Sequence, residues 1–409
     1  MSEHQPPAVS VDRTPKRQSW QSSGLAKTAV AISSVGVALA VIAFILGSSI
    51  ESGQGTAIGG LAVLGAAAVT FYGTHLTREQ TKSDENNKHQ REVMRDLQSR
   101  FTTSATQLAD DAATIRLAGV YSLASLADDW YTATGSTLAS ERDRQVCIDV
   151  LCAYLRRDTT SDTALYSKLK KSDKAGRTDD LEAEEKIVRA AIITAIRTHT
   201  TIVPKDTNDP KWTGADFDLT GAKLDSADLL AVDLATALFP GADLTKATLN
   251  GARLNGCNFN GTKFSNGHLN GTQLTGANLH KAHFDGARLD GANFQNAKGH
   301  ATDFTNTRGD LPVFRGARLV SAKFIRAQFM RAHFEGAYLY DANFEGAELT
   351  HASFDGATID GADFTGVDLS AVSFVDVVIH WDEPVWPDNQ RPAHVTVAPP
   401  AEFPDPNDD

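Results

Sequence analysis

Cysteine is nearly absent from this chain: Cys147, Cys152 and Cys257 are the only 3 among 409 residues. So sparse and odd a set excludes a disulfide framework and fits a reducing compartment. Cys147 and Cys152 have no nearby Cys or His to complete a zinc set, so they read as small buried apolar residues. Aromatics are only 8% of the chain, which argues against a large conventional core. Basic residues are outnumbered, leaving a formal net charge of -12; a nucleic-acid backbone is therefore not an expected partner. No Gly-rich phosphate loop and no G-x-S-x-G nucleophile motif occurs. With no pocket signature either, the sequence points away from an enzyme and asks for no cofactor.

Charge is also missing from two long stretches. Residues 28–50 and 56–76 contain no Asp, Glu, Lys or Arg. At ~1.5 Å per residue each is long enough, as a helix, for the ~30 Å hydrocarbon core. The first run is too long for a cleaved signal peptide, and a second follows at once. The expectation is a transmembrane hairpin over 28–76. Its small residues fall at spacings of 3 and 4 (Ser33, Gly36, Ala40, Ala43, Gly47; then Gly55, Gly59, Ala62, Ala66), as in closely packed membrane helices. Arg13, Lys16, Arg17 and Lys27 precede the spans, Arg78, Lys82, Lys88 and Arg91 follow them, and the connecting turn has no Lys or Arg. The positive-inside rule then places both termini in the cytoplasm, in a multi-pass protein of the cytoplasmic membrane with the lipid bilayer as one partner. Residues 1–23 read as a disordered cytoplasmic tail.

Residues 77–199 read as a small helical module. Val93, Leu97, Phe101 and Leu108 form one stripe at helical spacing, and Val120, Leu123, Leu126 and Trp130 a second. Val146, Val150, Leu151 and Leu155 form a third, followed by a polar linker over 161–180 and another amphipathic helix over 184–199.

Beyond this module the period changes. Gly276 to Phe294 reads GANLHKAHFDGARLDGANF. Leu279, Phe284, Leu289 and Phe294 recur every fifth residue, with Ala277, Ala282, Ala287 and Ala292 two places before each. The register runs unbroken from Leu219 to Ile379; all its positions are Leu, Phe or Ile except Gly299 and Gly309. A period of five fits neither helix nor simple strand. It fits a solenoid in which each pentapeptide is a short extended side plus a corner. The Leu/Phe and the residue two before it then point inward, and the neighbours on either side of the Leu/Phe point outward. Glycine, common two places after, suits a corner with positive φ.

The runs Ala277-Asn278-Leu279, Ala292-Asn293-Phe294-Gln295, Ala342-Asn343-Phe344-Glu345-Gly346 and Ala362-Asp363-Phe364-Thr365-Gly366 resemble the pentapeptide repeat family, whose pattern is Ala-Asp/Asn-Leu/Phe-X-Gly. The resemblance covers roughly 215–380. It implies a right-handed, quadrilateral parallel β-helix of about eight coils, ~40 Å long at the strand spacing. Arg100 to Asp111 (RFTTSATQLADD), Arg116 to Trp130 (RLAGVYSLASLADDW) and His380 to Gln390 (HWDEPVWPDNQ) resemble the linker and terminal segments of a membrane-bound group in that family. The expected whole is an α+β multidomain chain. It comprises the transmembrane hairpin, the helical module, a β-helix over 211–380 and a C-terminal cap and disordered tail over 381–409. The helical module would cover the first coil, and Trp381, Val385 and Trp386 would fold over the last, because open sheet edges invite pairing. At Gly299, Gly309 and Pro312 the pattern predicts a locally thinned coil or an outward bulge.

Three readings of function follow. The first is a non-catalytic, membrane-anchored scaffold that presents the solenoid to a cytoplasmic protein, with a homo-oligomer left open. Arg318, Val320, Tyr338 and Tyr340 share one outward face, and Lys298, His300, Thr358 and Asp360 continue it. Tyr and Arg are enriched at interface hot spots, so this face is the candidate protein-binding site; β-surface stacking explains Tyr and Val there equally well. The second reading comes from family members that mimic DNA and bind a topoisomerase. Residues 211–380 carry 14 Lys/Arg and 19 Asp/Glu with no continuous acidic ladder, which disfavours it. The third, a metal- or ligand-dependent enzyme, rests only on His280, His283 and His300, which also read as outward polar residues.

Overall fold

A period of five demands a corner every five residues, and the computed structural model of the chain shows one. It describes residues 81, 83–85, 87–133, 138–157, 176–201, 212, 214–389 and 391–397. From Gly221 to Gly366 every fifth residue has positive φ, and half of these corners are not glycine. Most corners close with a short backbone bond such as Ala282 N–H to Leu279 C=O at 2.9 Å. Between corners the chain forms parallel bridges to residues 20 ahead: Asn278 with Lys298, His283 with Asp303, Arg288 with Arg308, Asn293 with Val313. Four repeats therefore complete one coil, and the four sides are four parallel ladders. Longer pairings join β1 (Lys298–His300) to β3 (Arg318–Val320), and β2 (Arg308–Asp310) to β4 (Gln328–Met330).

The expected inward rows are inward. From Leu219 to Phe374 the large position is buried at every repeat, and so is the small position two before it. Phenylalanines stack on themselves along the axis. Phe264, Phe284, Phe304, Phe324, Phe344 and Phe364 form one column, with ring centroids 4.6–5.1 Å apart and near-parallel planes. Phe294, Phe314, Phe334, Phe354 and Phe374 form a second on the opposite side. Rings of the two columns meet edge to face, as Phe304 and Phe314 do at 82°. The stacking distance equals the strand spacing of ~4.8 Å, so one rise satisfies both the backbone ladder and the aromatic column. Small-site threonines spend their hydroxyls on carbonyls inside the wall, as Thr272 does on Leu249 at 2.8 Å. Cys257 fills a small site likewise, and burial pushes its thiol up to about 12.

Gly299 and Gly309 produce no outward bulge. Both lie in ladder strands whose bridges continue above and below. A Cβ on Gly299 would collide with the Thr302 hydroxyl and come within 3.0 Å of a Leu319 methyl. One on Gly309 would lie 3.1 Å from the Leu289 carbonyl. Neighbouring atoms thus line the space that even a Cβ would need at these two positions.

The chain divides into two compact units, Met1–Met94 and Arg95–Asp409. In the first, the described residues are helical. The second begins with helical residues 95–108, then α1 (Ala113–Ala133), α2 (Leu138–Arg156) and α3 (Gly176–Thr200), which pack on one another. The α1 stripe Val120, Leu123, Leu126 and Trp130 is buried as its spacing predicts. On α2 the buried face is instead Cys147, Ile148, Leu151, Cys152 and Leu155, and Val146 is exposed. The valine stripe thus lies one position off the true face: at i, i+1, i+4, i+5 and i+8 the two cysteines complete a wider apolar face. Burial pushes both thiols up to about 12, which suits packing and not reactivity. The segment expected as linker is helical from Gly176. Glu185 ties the helices together: Tyr154 donates to it at 2.8 Å, Arg189 at 3.1 Å, and Arg116 lies 3.6 Å away.

The helices close the first coil by exchanging unpaired groups. A helix end leaves carbonyls without partners, and a first coil leaves N–H groups without partners. Asp233 N–H donates to Thr200 C=O at 2.9 Å and Lys223 N–H to Leu155 C=O at 3.3 Å. Arg156 pairs with Asp218, Arg197 pairs with Asp228, and His199 stacks on Trp212 at 4.4 Å. At the other end Trp386, 4% exposed, stacks on Phe364 at 5.5 Å and continues the first aromatic column. Trp381 and Val385, expected in the same cap, are exposed.

One expectation is overturned. The spans predicted at 28–50 and 56–76, and the tail at 1–23, lie outside the described residues. Among the described residues no helix is long and apolar enough to cross a membrane. Each is interrupted by charge: α1 by Arg116, Asp128 and Asp129, α2 by Glu141, Arg142, Asp143, Arg144 and Asp149. None of the described helices carries the ~20 successive apolar residues that a hydrocarbon core requires. The location as a multi-pass protein of the cytoplasmic membrane, with both termini cytoplasmic, is corrected accordingly, and a lipid bilayer partner has no support.

Two outcomes follow from this packing. Phe284→Ala empties a site stacked on both sides and should cost about 3–5 kcal/mol in urea unfolding, whereas Gln295→Ala on the outer surface should cost under about 0.5 kcal/mol. Leu311, at a corner with φ 59, carries left-handed strain that glycine does not. Leu311→Gly should raise stability by about 0.5–1 kcal/mol, the left-handed cost less the entropy of glycine, and a lowered urea midpoint would refute the strain.

Candidate protein-binding surface

One side of the solenoid has Gly299, Leu319, Leu339 and Ile359 inside it. The outward residues on one side of these form the ladder Lys298–Arg318–Tyr338–Thr358–Val378, and those on the other, one coil apart, are His300, Val320, Tyr340 and Asp360. The strand alternation sends them to the outer surface one coil apart, except that Asp360 is buried there. The structure thus brings Arg318, Val320, Tyr338 and Tyr340 together as their spacing predicts. The Arg318 guanidinium sits 5.7 Å from the centre of the Tyr338 ring, a cation–π contact across one coil. Tyr338 is 42% exposed.

A further aromatic joins them that the pattern did not place. Trp381 is 62% exposed and meets Tyr340 edge to face at 6.5 Å. Its position comes from an insertion. From Gly221 to Gly346 the corner N–H groups donate to the carbonyl 19 residues on, as Asp341 does to Asp360 at 2.9 Å. One coil later Gly361 donates to Asp382, and Phe364 to Val385, both 21 residues on. His380 and Trp381 are the two extra residues. Their N–H groups, which find no place in the ladder, both donate to Oδ1 of Asp360, at 2.6 and 2.7 Å. Asp360 is fully buried, and its Oδ2 has no hydrogen-bond partner among the described residues. The insertion was visible in the sequence as a spacing: Trp386, the next stacked aromatic, follows Phe364 by 22 residues instead of 20.

The corner beneath the insertion is acidic. Asp341 precedes Gly361 by one coil and Asp382 follows it, with Asp360 between them. Burial, then the charges of Asp382 and Asp360, raise the Asp341 carboxyl above its ordinary value. Asp341, ahead of burial and the other two carboxylates, likewise raises the Tyr340 phenol. No ion pair to Asp341, Asp360 or Asp382 is formed among the described residues.

Elsewhere the outward residues offer less. His280 and His300 occupy successive coils, where the His300 N–H donates to His280 Nδ1 at 3.2 Å, while His283 lies in a different ladder, between Lys263 and Asp303. Among the described residues no group of three His, Cys, Asp or Glu is placed to hold a metal. Acids do not line up along the axis: the ladder of Lys223, Asp243, Lys263, His283, Asp303 and Lys323 alternates in sign, and that of His268, Arg288, Arg308, Gln328 and Glu348 changes sign midway.

The family model for pentapeptide repeats matches this chain in eight copies, over 218–256, 257–296 and 337–374. No curated protein matches the chain. Among solved structures, HetL, a pentapeptide repeat protein involved in heterocyst differentiation regulation in the cyanobacterium Nostoc sp. strain PCC 7120, is 23% identical with a TM-score of 0.20, covering 42% of this chain and 89% of its own. QnrB1, a plasmid-mediated fluoroquinolone resistance protein, is 19% identical with a TM-score of 0.27, covering 44% of this chain and 87% of its own. A pentapeptide repeat protein of the Arabidopsis thaliana thylakoid lumen is 24% identical with a TM-score of 0.14, covering 34% and 68%. The pentapeptide repeat family is supported by the family model; membrane anchoring is not.

The sign of the Asp341 shift sets a pH dependence. Its folded value lies above the ordinary one, so between the two the native state holds more protons than the unfolded state, and stability falls as pH rises through that window. Asp341→Asn should therefore melt at a higher temperature than the parent at neutral pH and at the same temperature below about pH 3, where the carboxyl is protonated in both states.

Proposed function

We propose that this protein is a non-catalytic protein-binding module whose β-helix offers the face of Arg318, Val320, Tyr338 and Tyr340 to a partner. The observation that carries this reading is the gathering of Tyr338, Tyr340 and Trp381 beside Arg318 on one side of a solenoid whose other outward ladders are mainly Asn, Asp, Thr, Lys and Arg. Tyr, Trp and Arg are enriched at interface hot spots: the two aromatics bury large area at small entropy cost and keep a polar end, and Arg adds a planar charged donor. A solenoid side suits the task because its ladders hold the side chains one rise apart on a rigid wall. The second reading, mimicry of DNA for a topoisomerase, would need a run of carboxylates at phosphate-like intervals, and the alternating ladders supply none.

Replacing both tyrosines tests the face directly. Tyr338→Ser with Tyr340→Ser should keep the parental circular dichroism and melting temperature within a few degrees, since both side chains point outward. Proteins co-purified with the tagged full chain should lose the bound partner, with an affinity loss of at least about 30-fold for two hot-spot residues. An unchanged set of bound proteins would show that the tyrosines are only β-sheet surface.

A further inference from the structure

Three features coincide where the regular register breaks. His380 and Trp381 are added to the coil, and Trp381 is pushed into solvent against Tyr340. Asp360 is fully buried to hold the two extra N–H groups, yet keeps one oxygen without a hydrogen bond. Asp341 and Asp382 flank it on the coils below and above, through the bonds of Asp341 N–H to Asp360 C=O and Gly361 N–H to Asp382 C=O. Insertions of this kind re-aim a side chain, and are kept where the side chain has a use. A burial that served packing alone would not leave a carboxylate oxygen unpaired, because the missing bond has a cost.

Resting on the protein-binding reading of this face, we propose that the Tyr340–Trp381 corner is a receptor for a cationic side chain, an arginine or lysine presented by the partner protein. The aromatic faces attract a cation by their quadrupoles. The carboxylates of Asp341 and Asp382 supply charge and acceptors for a charged donor. The carboxylates have no cation of their own among the described residues, so an incoming one relieves their mutual repulsion. Complementary charge selects the partner. An acidic segment placed here would add to the repulsion, a neutral one would leave it unrelieved, and a nucleic acid would be repelled outright. Arg318, stacked on Tyr338 one coil below Tyr340, carries the opposite sign, so the face as a whole is dipolar and sets the direction in which a partner segment lies along it.

The test titrates the full chain with an octa-arginine peptide and, separately, with an octa-glutamate peptide, reading affinity by calorimetry. Octa-arginine should bind and octa-glutamate should not. Asp341→Asn with Asp382→Asn, and independently Trp381→Ser, should each weaken octa-arginine binding at least tenfold while the chain still melts cooperatively, the aspartate pair no lower than the parent and Trp381→Ser within a few degrees of it. Asp225→Asn with Asp285→Asn removes the same charge more than two coils away and should leave binding within twofold. No binding by the parent, or an equal loss in the remote control, overturns the proposal. So does binding of calcium ions at this corner in place of the peptide. The two readings fail separately. If the tyrosine double variant loses its co-purified partner while the Asp341/Asp382 variant keeps it, the protein-binding face stands and the cation receptor falls. If octa-arginine binds as expected but the tyrosine variant keeps every partner, the receptor stands and the protein-binding assignment of that face falls.

Discussion

Everything in the repeat region depends on one coincidence of lengths. A parallel ladder spaces its strands at ~4.8 Å, and flat aromatic rings stack at nearly the same distance, 4.6–5.1 Å in the column from Phe264 to Phe364. A coil of 20 residues returns each inward side chain to a place above its own kind. Backbone pairing and core packing therefore demand the same register, and neither can slip without the other. The result is a core one side chain wide that runs the length of the solenoid. It needs few aromatics because each ring is used on both faces.

The same constraint makes the ends the weak points, and both are closed by matching unpaired groups. Helix carbonyls of Leu155 and Thr200 take the N–H groups that the first coil cannot use. At the far end Trp386 takes the place of the next phenylalanine in the stack. The corners also carry a cost, since many of them hold residues other than Gly, Asn or Asp, among them Leu311 and Ala231, at positive φ. The ladder bonds on both sides of each corner hold them there.

Against so regular a wall, a departure is informative when the structure spends something to keep it. Gly299 and Gly309 depart from the pattern but disturb nothing, because Leu319, Thr302 and the Leu289 backbone fill the space. The insertion at His380 and Trp381 is different. It buries a carboxylate and exposes a tryptophan, both unfavourable on their own. That is why the functional argument rests on this corner and on the tyrosines beside it, and not on the glycines or the histidines.

Much of this was legible in the residues. Strict alternation of small and large at a period of five determined which side chains are inward from Leu219 onward, and the 20-residue coil, expected from the family resemblance, makes Arg318 and Tyr338 neighbours. The period works as a code because every repeat has the same surroundings, so local pattern and tertiary position coincide. Where surroundings are not repeated, the residues alone were insufficient. The α2 face could not be assigned between Val146 and Cys147 because both are small and apolar, and only packing against α1 and α3 separates them. An uncharged run is compatible with a membrane span, but no described helix is long and apolar enough to be one. Trp381 looked like a cap by its apolar character; the tertiary structure sent it outward, because two extra residues moved the stacking position to Trp386 and left the N–H groups of His380 and Trp381 to Asp360.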